Sequence, residues 1–324
     1  MTKVQSRARQ GIAGVAAAGL LALGLATAPV QAAATPPRQI VTVIANVNKA
    51  YGGIHEGKSI HDMSSIKAFV TRAVQMTPSA PDVVLLQELR KEGAAAAAKS
   101  FTNKTGDKYI VAVGPPRNHP TLDYAAKQIH TETAILLNTA SMEKSSGGGF
   151  IKSSYTHAEG SGGKIKVKKN AFVLATQKSS GLTVALASVH YTPVGDLKSK
   201  AVSDRLRGEW SKQIATTLHN KYPTAGLTNI GGDFNTIRCF SGAFKSCKEA
   251  AFWKYLSTHG FVDSLYVLPQ PGGGGAESCM TRATGVDFVF STGNPQAGGI
   301  DTHGGYSDHK LRWVKNVAAP YAPC

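Results

Sequence analysis

The residues with the most chemical potential stand in short clusters along the second half of the chain, with two earlier acids. "GGDFN" places Asp233 and Asn235 two positions apart behind a pair of glycines. Alternation along an extended strand end brings such a pair to one side, and the glycines let the backbone come close to a neighbour. Asp233 suits the orientation or deprotonation of a water, and Asn235 suits donation to a developing oxyanion. The same residue types favour an Asx-type turn, so this cluster has to be weighed together with the others. "VVLLQE" ends an apolar run on Glu88. A carboxylate held on a rigid strand is the oxygen donor a hard cation takes, one or two at a time, with water and substrate phosphate completing its shell. Asp308 of "YSDHKL" offers a second carboxylate. His190 ends "VALASVH" and His309 follows Asp308 directly, with Glu132 and Asp287 available as acidic partners. A carboxylate bonded to one ring nitrogen fixes the tautomer and stabilises the imidazolium. Two such pairs would supply one base and one acid.

These residues need elements to carry them. "QIVTVIANVN" is β-branched and apolar and predicts a buried strand over about 39–47, with Asn46 near its exit. Ile66, Phe69, Val70, Ala73 and Val74 share one face of a helix over about 59–77, which Pro78 stops. "PDVVLLQEL" and "ETAILLN" read as strands. "NAFVLATQ", "KSSG" and "LTVALASVHY" form a hairpin with a polar turn. Leu206, Trp210, Ile214 and Leu218 recur at helical spacing in a helix over 197–220. "GLTNIGGDFN", "GVDFVFS" and "LRWVKNV" supply late strands. Several strands are apolar on both faces, which predicts sheets packed on each other with helices outside. The conspicuous polar residues fall at strand ends, where segments from many parts of a chain converge on one rim.

Bulk properties narrow the function classes. The chain of 324 residues opens with "MTKVQSRAR", a run of small and apolar residues, and a small-residue exit at Val30 and Ala32. This is the pattern of a secretory signal peptide over 1–32 and predicts a secreted, extracellular product beginning near Ala33. No later stretch is long and apolar enough to span a bilayer. The remaining residues, 33–324, suit a single domain. The formal charge is +16, and removal of Lys3, Arg7 and Arg9 leaves about +13. Such an excess points to a polyanionic partner, nucleic acid above all, or an anionic lipid surface. Cys239, Cys247, Cys279 and Cys324 make an even number for a secreted chain and predict two disulfides, whose pairing stays open.

The order of the motifs is informative in itself. Asn46, "LLQE", "SVHYTP", "GGDFN", "VDFVF" and "SDH" follow one another as in the endonuclease/exonuclease/phosphatase superfamily, which this chain resembles from about Ile40 to Val317. The resemblance implies an α+β fold, a four-layer α/β/β/α sandwich of two packed mixed sheets flanked by helices. It implies divalent-metal-dependent hydrolysis of phosphate esters, with Mg²⁺ or alternatively Ca²⁺ or Mn²⁺ as cofactor. Asn46 and Glu88 match the metal-side Asn and Glu, and Asp308 a further metal-side acid. Asp233 and Asn235 match the pair that positions the attacking water, Asp287 the acid that orients the last histidine, and His309 the general base. Among branches, the deoxyribonuclease I branch is the most similar. It makes His190 a second catalytic histidine, with Glu132 as its acid and the neighbouring Tyr191 near substrate. It places Lys168 and Lys169 close to where that branch carries a phosphate-contacting Arg. Here the Arg is replaced by Lys, a point charge instead of a fork. Cys239 and Cys279 resemble its disulfide, which leaves Cys247 with Cys324.

The resulting expectation is a secreted, monomeric nuclease cutting DNA, with RNA a further possibility, and with no stable membrane association. Two rivals remain: the same chemistry on sphingomyelin or another small phosphoester, and a non-catalytic basic protein that binds polyanions.

Overall fold

In the computed structural model the described residues are 38–47, 63–89, 91–115, 132–163, 167–236, 249–268, 286–301, 307 and 309–319, with backbone only at 63, 64, 91 and 132. The strands are β1 (Gln39–Asn46), β2 (Val83–Leu89), β3 (Tyr109–Val113), β4 (Glu132–Asn138), β5 (Met142–Lys144), β6 (Gly149–Ser154), β7 (Val167–Gln177), β8 (Thr183–His190), β9 (Leu227–Asp233), β10 (Val262–Asp263), β11 (Asp287–Ser291), β12 (Asn294–Ile300) and β13 (Arg312–Val317). The helices are α1 (Met63–Met76), α2 (Lys91–Thr105), α3 (Lys200–Lys221) and α4 (Ala251–Thr258).

Strands in the order β12-β13-β1-β2-β4-β3 form one sheet, and β10-β11-β9-β8-β7-β5 form the other, with β6 on the side of β7. Both sheets are mixed: β1 runs parallel to β2 and β8 parallel to β9, while the other pairings are antiparallel. Period-two alternation sorts the central strands between two layers of core. Ile40, Ile44, Val83, Leu85, Ile135 and Leu137 face Val173, Val184, Leu186, Leu227 and Val289 between the sheets. Val43, Ala45, Val84, Leu86 and Leu136 face outward onto Ile66, Phe69, Val70 and Phe101 of α1 and α2. On the far side Ala187, Val189, Phe288 and Phe290 pack against Leu206, Trp210, Ile214, Phe252 and Trp253 of α3 and α4. The result is the four-layer α/β/β/α sandwich, which explains why both faces of these strands read as apolar.

The apolar face expected for the first helix is the buried one, with Ile66, Phe69, Val70 and Ala73 each at most 1% exposed. The second expected helix begins at Lys200, later than the sequence pattern suggested. Ser199 caps it by accepting from the Val202 amide at 3.2 Å, and residues 194–196 form a separate tight turn ahead of it. Several elements were not foreseen. The alanine run of α2 has little polar contrast, and "NPQAGGI" reads as a loop. β12 forms nonetheless as an edge strand, with a register shift at Pro295 that absorbs the missing amide donor.

Pairing sets the rim. The parallel registers bring Asn46 level with Gln87 and His190 level with Asp233. β11 runs antiparallel to β9, so Asp287, its first residue, lies opposite Asp233. β13 runs antiparallel to β1, so the residues just before Arg312 reach the end of β1 that carries Asn46.

Candidate functional site

Seven polar side chains meet at that rim, contributed by β1, β2, β8, β9 with its exit, β11 and the approach to β13. Asp233 is the centre and is 1% exposed. Its Oδ2 accepts from Asn46 Nδ2 at 3.0 Å and from Asn235 Nδ2 at 2.9 Å, and its Oδ1 accepts from the Asn235 amide at 2.7 Å. Asn46 Nδ2 also faces Glu88 Oε1 at 3.2 Å and His309 Nε2 at 3.4 Å. His309 Nδ1 lies 3.1 Å from both oxygens of Asp287. With Nδ1–H donated to Asp287, Nε2 presents its lone pair toward Asn46 and Asp233, the tautomer that the network dictates. His190 Nε2 lies 3.4 Å from Glu88 Oε1 and 3.7 Å from Asp233 Oδ2. Its Nδ1 lies 3.4 Å from Lys168 Nζ, and its backbone amide donates to Asn170 Oδ1 at 2.9 Å.

The backbone is bent to aim these groups. Glu88 has φ 59° and Asn235 has φ 51°, the non-glycine residues with left-handed φ among those described. Such conformations cost of order 1–3 kcal/mol each and persist only where the surroundings over-determine them. At Glu88 the cause is visible: the β2–β4 register shifts between Leu86 and Leu89, a bulge that re-aims the acid at the rim. Both glycines of "GGDFN" are required. A Cβ on Gly231 would stand 2.9 Å from Ile44 and Leu85 of the facing sheet. One on Gly232 (φ 143°) would stand 2.1 Å from the Val189 carbonyl oxygen.

Electrostatics follow from burial. Asp233 is pushed up to about 7, first by desolvation and next by the nearby Asp287, against the lowering effect of His309, the Asn235 amide and Asn46. His190 is held well below the usual histidine value by burial, then by Lys168 and His309, so it is neutral. Glu88, His190 and Asp233 form one group of potential metal-ligating atoms within 4.8 Å of one another, and Asp233, Asp287 and His309 form a second. These donors fit a hard divalent cation: two carboxylates, one fully buried and destabilised in its charged form, beside a neutral imidazole.

The structure brings together Asn46, Glu88, His190, Asp233, Asn235, Asp287 and His309. Lys168 joins them through His190. The Lys169 ammonium lies over the Phe150 ring, 6.0 Å from its centre. Tyr191 is a correction. It is fully buried, its hydroxyl pairs with Ser211 at 3.0 Å, and it packs on Trp210 and Phe234, so it cannot touch substrate. Asn235 also differs from expectation in detail, because its amide hydrogens already serve Tyr191 O at 2.8 Å and Asp233 Oδ2. The side chain of Glu132, the whole of Asp308, and Cys239, Cys247, Cys279 and Cys324 lie outside the described residues. Among the described residues, His190 is held by Lys168 and Glu88.

Sequence reasoning missed Arg207, Asn170 and Ser188. Gln87 Nε2 donates to Ser188 Oγ at 2.9 Å and Ser188 Oγ donates to Leu86 O at 2.9 Å, tying the two sheets together beneath Glu88. Arg207 had a signal: it falls with Ser203, Ser211, Ile214 and Leu218 on the buried stripe of α3. A cation on such a stripe requires partners.

No family model and no curated protein matches the chain. Solved structures do. An endonuclease/exonuclease/phosphatase family protein from Bacteroides thetaiotaomicron is similar over 87% of this chain and 98% of its own, with 13% identity and a TM-score of 0.58. Another family protein, from Leptotrichia buccalis, is similar over 85% and 98%, with 14% identity and a TM-score of 0.53. The human nocturnin catalytic domain, solved with a bound sulfate anion, is similar over 86% and 93%, with 14% identity and a TM-score of 0.52.

Proposed function

We propose that this chain, which has the fold of the endonuclease/exonuclease/phosphatase family proteins, is a secreted divalent-metal-dependent phosphodiesterase that hydrolyses nucleic acid, with DNA the favoured substrate. One observation carries the reading. Seven polar side chains from six separate segments converge on a single rim, around an Asp287–His309 pair whose Nε2 faces inward.

The chemistry is derived from the side chains. His309 Nε2 is the base that accepts a proton from an attacking water. Asp287, bonded to Nδ1, keeps that nitrogen protonated and stabilises the imidazolium. Asp233 lies 3.7 Å from His309 Nε2 and accepts the hydrogens that orient the water. Asn235 fixes Asp233 from the other side. His190, neutral and with Nε2–H directed at Glu88, is the donor nearest a leaving oxygen. Lys168 supplies a cation beside it for a phosphate. Glu88 and Asp233, with Asn46 between them, would hold the divalent ion. Bound there, such an ion supplies Lewis-acid neutralisation of phosphate charge. The formal charge, +16 for the whole chain and about +13 without residues 1–32, supports a polyanionic substrate through sequence-independent attraction to backbone phosphates. The charged and apolar N-terminal pattern supports secretion.

The test incubates the protein with supercoiled plasmid and Mg²⁺, with and without EDTA, beside His309→Ala. Nicking that requires both metal and His309 is the expected result. Intact plasmid with turnover of sphingomyelin or p-nitrophenyl phosphate would overturn the nucleic-acid assignment. Inertness toward every phosphoester would overturn the enzyme reading.

A further inference from the structure

Arg207 lies outside the convergent cluster and is never in contact with solvent: it is 0% exposed. Its Nε donates to the Phe234 carbonyl at 2.8 Å, and its Nη2 donates to the carbonyls of Thr192 and Asn235, both at 2.8 Å. These carbonyls belong to two different strand exits. Thr192 follows His190 at the end of β8, and Phe234 and Asn235 follow Asp233 at the end of β9. The same two exits are joined by Tyr191 N–H to Asp233 O at 2.9 Å and by Asn235 Nδ2 to Tyr191 O at 2.8 Å. The guanidinium closes this ring from below, and its Nη1 is buried with no hydrogen-bond partner among the described residues.

A buried guanidinium bonded to carbonyls is an expensive way to stabilise a fold. Burial lowers its pKa to about 10, against the attraction of Asp233 and Asp204, so it stays charged. Well-packed apolar side chains of similar volume commonly serve stability as well or better. What the fork supplies instead is geometry. Two carbonyls from consecutive residues, one of them the left-handed Asn235 (φ 51°), are gripped together with a third from the neighbouring strand. The left-handed turn is what lets the Asn235 amide reach Asp233 Oδ1 at 2.7 Å and its side chain reach Oδ2.

We infer that Arg207 is a positioning residue: from beneath the rim it holds the β8 and β9 exits in register, and so fixes the aim of Asp233 and Asn235 without touching substrate. The inference rests on the phosphodiesterase reading for its effect on rate, but not for its effect on structure. Lysine cannot replace it, because one Nζ cannot span carbonyls that the planar fork reaches from Nε and Nη2 together.

Arg207→Lys, assayed well below its melting temperature and normalised to folded protein, is expected to lose about 10–100-fold in kcat on a phosphodiester, with KM within about twofold of the parent. A residue that only stabilised the fold would lower the melting temperature and leave kcat per folded molecule unchanged. Full kcat in folded Arg207→Lys overturns the inference. Should the lysine variant fail to fold, Arg207→Met, which removes the buried charge with its donors, carries the same test. Collapse of both variants would assign Arg207 to the fold alone and overturn it too. Amide hydrogen exchange on metal-free protein provides a readout independent of activity. Faster exchange confined to Tyr191, Phe234 and Asn235 is expected, and unchanged exchange there refutes the positioning role. If the parent protein hydrolyses no phosphoester, the functional reading fails while the exchange experiment still judges Arg207.

Discussion

Replacing Asp233 with Asn is expected to make the metal-free protein more stable at neutral pH while abolishing its activity. The carboxylate is almost completely buried and its pKa is raised from 3.8 to about 7. A rise of that size corresponds to roughly 4 kcal/mol against the charged form, at about 1.4 kcal/mol per pH unit. The sign follows from linkage. Between the unfolded and folded pKa values the native state holds the proton and the unfolded chain does not, so stability falls as pH rises through about 4 to 7 and is flat above. Asparagine removes this loss, but at a cost. The Asp233 oxygen that now accepts from Asn46 and Asn235 at 3.0 and 2.9 Å would become a donor facing donors. That mismatch costs about 1–3 kcal/mol. The net gain at pH 8 is therefore on the order of 2 kcal/mol, or several degrees in melting temperature. The assay is thermal unfolding in EDTA from pH 4 to 8 for both proteins. The parent should lose stability relative to Asp233→Asn steadily across that range. A difference independent of pH, or one of opposite slope, would refute the account of Asp233 as a buried carboxylate strained by its neighbours.

Other perturbations separate the roles of the surrounding residues. Asp287→Asn removes the acceptor that fixes the His309 tautomer and should lower kcat about 10²–10⁴-fold with little change in KM, measured by steady-state hydrolysis. Lys168→Met should raise KM for DNA and reduce the slope of log affinity against log salt by about 1, read from binding at several ionic strengths. Tyr191→Phe leaves the buried Ser211 hydroxyl without its partner and should cost about 1–3 kcal/mol in denaturant unfolding with kcat and KM unchanged. A KM effect there would restore Tyr191 to the substrate surface. Gly232→Ala forces a Cβ onto the Val189 carbonyl and should destabilise by about 3 kcal/mol or more, seen as a drop in melting temperature.

Legible along the chain were the strands that alternate or run apolar, the two helices with an apolar face, and the identity of the polar residues at strand exits. Asn46, Glu88, His190 and Asp287 could be singled out because each interrupts or ends an apolar run, and Asp233 and His309 through the short motifs "GGDFN" and "SDH", arrangements local enough to read along the chain. The helix and strands without such contrast, α2 and β12 above all, were not legible, since neighbours in space and not sequence pattern made them regular. How the exits meet depends on strand pairing across the two sheets. Parallel pairing of β8 with β9 set His190 beside Asp233, and antiparallel β11 returned Asp287 to the same level. Burial then decided roles that residue type left open. Tyr191, adjacent to a site histidine in the sequence, turned into the core, as alternation along a strand exit requires. Arg207, marked in the sequence only by its place on the buried stripe of α3, became the group that grips both exits. The raised pKa of Asp233 likewise has no counterpart in "GGDFN", because it arises from the desolvation and the second acid that the packed sheets impose.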